Sequence, residues 1–89
     1  MSLDNKIKDI ETIVKKLDIR GEVCPMTFVL TKLALEEIAQ GNILEVVLDF
    51  PPATKNIPEN CKRQGLAELI EIKELNPANN LWLLKLKKL

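Results

Sequence analysis

The sequence predicts an α+β two-layer sandwich: a four-stranded mixed sheet strung βαβαββ, covered on one face by two helices, with a helical extension at the N-terminus. Three observations predict it. Segments whose apolar residues alternate take turns with segments whose apolar residues recur every three or four positions, the signatures of half-buried strand and amphipathic helix. Lone glycines and a proline pair punctuate the boundaries between them. The last two strand-like segments are separated only by Asn76-Pro77-Ala78-Asn79-Asn80, a turn by composition, which makes them a hairpin.

Taken in order, Ile7, Ile10, Ile13, Val14 and Leu17 recur at helical spacing between charges, with Asp4 as candidate N-cap. Residues 1–15 are therefore read as a helical extension and 16–89 as the domain. Leu17 and Ile19 alternate with Asp18 and Arg20, a short strand that Gly21 closes. Pro25 to Gln40 is the clearest helix. It places Met26, Val29, Leu30, Leu33, Ala34 and Ile38 on one face and Lys32, Glu36, Glu37 and Gln40 away from it. Pro25 suits the first helical turn, where its missing N–H costs nothing, and Gly41 suits the C′ position. Ile43 to Phe50 alternates as a strand that Pro51-Pro52 stops.

Ala53 to Gln64 reads as the second helix, with Ala53, Ile57 and Cys61 in steps of four and Thr54 as candidate N-cap. Pro58 is tolerated only in a first turn, so this helix is expected to start near Asn56 or Ile57; Gly65 ends it. Ala67 to Leu75 carries Ile70 and Ile72 on one face and Leu69 on the other. Leu81 to Leu89 sets Trp82, Leu84 and Leu86 against Leu83, Lys85 and Lys87. The outward strand faces are polar, as a two-layer arrangement needs.

Composition narrows the function. Thirteen basic residues balance thirteen acidic ones, which argues against a general nucleic-acid binder, although Lys85, Lys87 and Lys88 make one local basic candidate. The absence of histidine removes Cys–His and Ser–His catalysis and any histidine metal site. Cys24 and Cys61 are not spaced as a zinc motif, and Gly21, Gly41 and Gly65 form no phosphate loop, so neither metal nor organic cofactor is expected. The N-terminal stretch is broken by charge rather than shaped as a signal peptide, and no apolar run approaches the roughly 20 residues of a membrane span. A cytoplasmic protein without a membrane partner, its thiols reduced, is expected.

Cys24 is the residue placed for chemistry. It falls at or beside the N-cap of the first helix, where unpaired N–H groups and the helix dipole favour an anionic sulfur. Pro25 donates nothing, so the expected donors are the N–H groups of Met26 and Thr27, with the Thr27 hydroxyl as a further one. Arg20 is expected to add positive charge and Glu22 to oppose it, while Gly21 shapes the approach. An exposed thiolate without an adjacent base suits sulfur exchange better than hydrolysis. Cys61, sharing a face with Ile57, reads as core.

The run Leu17-Asp18-Ile19-Arg20-Gly21-Glu22-Val23-Cys24-Pro25 resembles the opening of the TusA/SirA-like sulfur carriers, whose motif is Cys-Pro-x-Pro after a strand and a glycine. Gly41, Pro52-Ala53-Thr54, Ile57-Pro58 and Cys61 continue the likeness, which covers residues 16–89. The resemblance implies a cytoplasmic βαβαββ protein that takes persulfide sulfur from a cysteine desulfurase or rhodanese-like donor. It would pass that sulfur to a downstream acceptor protein, for example toward tRNA thiolation. The active cysteine carries over to Cys24 and the first proline to Pro25; Thr27 stands where the second proline is expected, which points to a different partner rather than a different chemistry. Two other readings stay open: an RNA- or protein-binding module using the basic C-terminal strand, and a thiol redox or selenium-handling protein using the same nucleophile.

Overall fold

A computed structural model describes residues 13–89; the expected helical extension spans residues 1–15, of which 1–12 lie outside the described residues. The chain order is β1 (Val14–Asp18), α1 (Met26–Glu36), β2 (Ile43–Leu48), α2 (Ala53–Arg63), β3 (Ala67–Asn76), a 3₁₀ turn (Pro77–Asn79) and β4 (Leu81–Lys88). The sheet order is β1-β2-β4-β3, with β1 parallel to β2 and the other neighbours antiparallel. This is the βαβαββ mixed sheet expected.

Pairing decides the first correction. Val14 and Lys15 belong to β1 rather than to the helical extension, because they face Ile43 and Leu44 across the parallel ladder. The sheet supplies the hydrogen bonds: the Ile43 N–H donates to the Ile13 carbonyl at 3.0 Å.

The core lies between the sheet and the helices. Leu44, Val46 and Leu48 of β2 and Leu84 and Leu86 of β4 are fully buried, with Ala53, Ile57 and Cys61 of α2 against them. Each such Leu or Ile contributes roughly 1.5–3 kcal/mol by leaving water.

Three further expectations are corrected. First, α1 buries Thr27, Thr31, Ala34 and Leu35, not the Met26–Val29–Leu33 line. Thr31 can sit in the core because its hydroxyl donates to the Thr27 carbonyl at 2.8 Å, a local bond that satisfies the polar group. Second, α2 starts at Ala53 and runs through Pro58. Its first turn is built by preceding carbonyls: Ala53, Thr54 and Lys55 N–H groups donate to Phe50, Pro51 and Pro52. Thr54 is thus inside the helix, its hydroxyl donating to the Pro51 carbonyl, and Pro52 is the N-cap. Burial of Ala53, Ile57 and Cys61 along one face holds the helix across the bond that Pro58 cannot make. Third, α1 ends at Glu36, so Gly41 is no C′ residue; with φ +86° it serves the turn into β2.

Gly65 does what its position promises. At φ +67° it is the C′ residue of α2; its N–H donates to Lys62 and that of Leu66 to Cys61, the paired bonds of a Schellman end.

Candidate functional site

The site forms where β1 leaves the sheet. Ile19 is the anchor: its side chain is buried and its N–H donates to the Val47 carbonyl at 2.8 Å. The chain then turns over Ile19–Glu22, closed by the Glu22 N–H on the Ile19 carbonyl at 3.2 Å. Gly21 takes the third position at φ +88°, where a side chain would be strained. Its N–H donates to Asp49 Oδ1 at 2.8 Å, tying the turn to the end of β2. Asp49 is the positioning residue that sequence reasoning passed over. Aspartates often accept from turn backbones, but this one reaches a glycine far away in the chain, which no local pattern displays.

Cys24 follows, exposed, one residue ahead of the α1 N-cap Pro25; the Cys24–Pro25 peptide is cis. The first-turn donors are mostly taken. Thr27 N–H donates to the Val23 carbonyl at 3.2 Å, and the Phe28 and Val29 N–H groups donate to Pro25. The expected Thr27 N–H contact to the sulfur is therefore not made, because Val23 closes the turn with it. The Thr27 side chain is fully buried, and its hydroxyl lacks a hydrogen-bond partner. Met26 keeps the N–H that these carbonyls leave over.

Arg20 is engaged by a neighbour: its guanidinium binds Asp18, with Nη2 to Oδ2 at 2.7 Å and Nε to Oδ1 at 2.9 Å. That hydrogen bond lowers the Asp18 carboxyl and raises Arg20. Glu22 acts through its backbone, in the bond to Ile19.

Beside Cys24 lies a feature that the sequence reading had folded into the core. Met26, Val29 and Leu33, at 42%, 39% and 52% exposure, form a stripe along the outer side of α1, and Val23 extends it past the cysteine at 56%. Their spacing of three and four was the signal; only the threonines on the buried side reveal which way the stripe faces.

Cys61 is buried, and burial pushes its thiol up to about 11. One thiol per folded chain should therefore react rapidly with an alkylating reagent at neutral pH, and two after denaturation. Mass spectrometry after brief labelling checks this; rapid native labelling of both would contradict the packing of α2.

The basic C-terminal candidate is largely spent on the fold. Lys85 Nζ stands 3.7 Å from Glu45 and 3.5 Å from Glu71, and Lys88 Nζ donates to the Leu35 carbonyl at the end of α1. Among the described residues no cluster of His, Cys, Asp and Glu could hold a metal ion, and no helix is long and apolar enough to cross a membrane.

Residues 15–88 match the family model described as Sulfurtransferase TusA. A protein of Thermotoga maritima described as "Putative sulfur carrier protein" is 44% identical over 75 residues, covering 84% of this chain and 91% of the relative. One of Archaeoglobus fulgidus with the same description is 42% identical, covering 81% and 78%. Among solved structures, the SirA-like protein of Desulfitobacterium hafniense superposes with a TM-score of 0.63 at 21% identity over 84% of this chain and 96% of that one, a likeness of fold.

Proposed function

The chain belongs to the TusA sulfurtransferase family, and from that premise we propose that it relays persulfide sulfur on Cys24. The observation that carries this reading is the contrast between its two thiols: Cys24 is exposed at the approach to α1, and Cys61 is sealed in the core.

The chemistry needs no cofactor. The Cys24 thiolate attacks the terminal sulfur of a donor persulfide. The donor's S–S bond breaks, its cysteine leaves as a thiolate, and Cys24 becomes the persulfide. An acceptor thiolate then attacks the terminal sulfur and Cys24 departs as a thiolate, so the sulfane sulfur moves without net oxidation. The donor fits a cysteine desulfurase or a rhodanese-like protein, the acceptor is another cysteine-bearing protein, and the cytoplasm keeps the thiols reduced. A donor whose sulfur reaches Cys24 must also cover the residues flanking it. Val23, Met26, Val29 and Leu33 give that donor an apolar surface to dock on.

Incubation with a cysteine desulfurase and cysteine is expected to add the mass of one sulfur atom to the protein, removable by reductant. Cys24→Ala should gain none, and Cys61→Ala should load as the parent does. Equal labelling of Cys24→Ala would refute the relay.

A further inference from the structure

We propose that β3 is a self-pairing edge, through which two copies of the chain join antiparallel about a two-fold axis at Ile72. This rests on the sheet and is independent of the reading of Cys24.

β3 closes one side of the sheet, so among the described residues one row of its backbone groups has no strand beside it. Its register with β4 fixes which way its side chains face. Glu71 and Lys73 lie opposite Lys85 and Leu83 on the open face of the sheet. Leu69 and Ile72 lie opposite the buried Leu86 and Leu84, on the helix side, and not on opposite faces as their spacing predicts, because the irregularity between Leu69 and Glu71 shifts the register by one residue. Yet Ile72 is 41% exposed and Leu69 36%. An open groove of about 520 Å³ runs between α2 and this edge, lined by Pro58, Glu59, Lys62 and Leu69.

Register irregularities between Leu69 and Glu71 and between Glu74 and Asn76 bound a regular run of four residues, Glu71 to Glu74. Directly opposite residues in an antiparallel pair share a face, so a two-fold axis relating two β3 strands must pass through a residue. Lys73 at the axis would set lysine against lysine. Glu71 or Glu74 there would set glutamate against glutamate. Ile72 at the axis sets isoleucine against isoleucine and brings Glu71 opposite Lys73 of the second copy, twice. Of the four registers this one alone is complementary in both charge and hydrophobicity. The two irregularities keep the pairing short. A run of four paired residues a side is shorter than the roughly 20–30 residues a side of a standard stable interface, so the dimer should depend on concentration. Pairing consumes the β3 edge of both copies and closes at two. Cys24 follows β1, at the other side of the sheet, and remains free in each copy.

Sedimentation equilibrium of the full chain, from micromolar to millimolar, tests this. The weight-average mass is expected to climb toward twice the monomer mass. Glu71→Lys and Lys73→Glu should each remain monomeric. Their equimolar mixture should dimerise, because it sets two lysines of one copy against two glutamates of the other. Glu71→Lys also removes the ion pair with Lys85. Ile72→Glu, which places two glutamates at the axis without touching that pair, gives a third monomeric variant, and circular dichroism checks the fold of all three. A parent that stays monomeric throughout, single charge variants that still dimerise, or a mixture that does not, would overturn the proposal.

Discussion

Ile19→Ala is expected to destabilise the fold by about 2–5 kcal/mol, the range for truncating a buried isoleucine. A domain of this size holds roughly 4–13 kcal/mol in total, so this one change removes a large share. At about 4–8 °C per kcal/mol, the melting temperature should fall by roughly 10 °C or more. Ile19→Val, which removes one methyl group, should cost only about 0.5–1.5 kcal/mol. The position matters because Ile19 joins core to site: its side chain is buried, its N–H holds Val47, and its carbonyl receives Glu22 to close the turn before Cys24. The substitution leaves both backbone bonds in place. Sulfur loading per folded molecule should therefore match the parent well below the melting midpoint, and fail only as the protein unfolds. Urea denaturation read beside loading at several temperatures separates the two. A loading defect in fully folded Ile19→Ala would show that the side chain, not only the backbone, sets the sulfur's position.

Strands and turns were the most legible parts of the sequence, and the outer face of α1 the least. Burial alternates residue by residue along Ile43–Leu48, and again over Leu84–Lys87, on the faces their alternating side chains predict. Helix faces are harder when apolar residues outnumber the places to bury them. In α1 the apolar residues span more than one face, so spacing alone could not show that Thr27 and Thr31 turn inward while Met26, Val29 and Leu33 turn out. The start of α2 misled for a related reason. Pro58 counts against a helix through it, yet three carbonyls from Phe50-Pro51-Pro52 and a face of Ala53, Ile57 and Cys61 outweigh one missing bond. Cys24 was legible as an exposed thiol at a helix start. Its surroundings were not, because the contacts that shape them, Gly21 to Asp49 and Thr27 to Val23, depend on long-range register and on the path of one tight turn.

Leu33→Glu and Val29→Glu are expected to slow sulfur transfer from a protein donor by about tenfold or more each, equivalent to roughly 1.4 kcal/mol or more of lost docking energy. Both side chains lie on the exposed stripe that begins beside Cys24, and neither belongs to the buried face of α1. Replacing them should therefore leave stability within about 0.5 kcal/mol, as for other surface positions. The reaction of Cys24 with a small alkylating reagent should also be unchanged, since that reagent needs only the exposed thiol. The expected pattern is thus a split: protein-to-protein transfer falls while small-molecule reactivity and melting temperature hold. A charge at Leu33 lies two helical turns from Met26 and cannot act on the thiol by contact, so a loss there reports the docked partner. If transfer and alkylation fall together, the stripe shapes the thiol rather than the partner. If neither falls, the donor approaches Cys24 from the Arg20–Glu22 side, and Asp18 and Arg20 become the next residues to change.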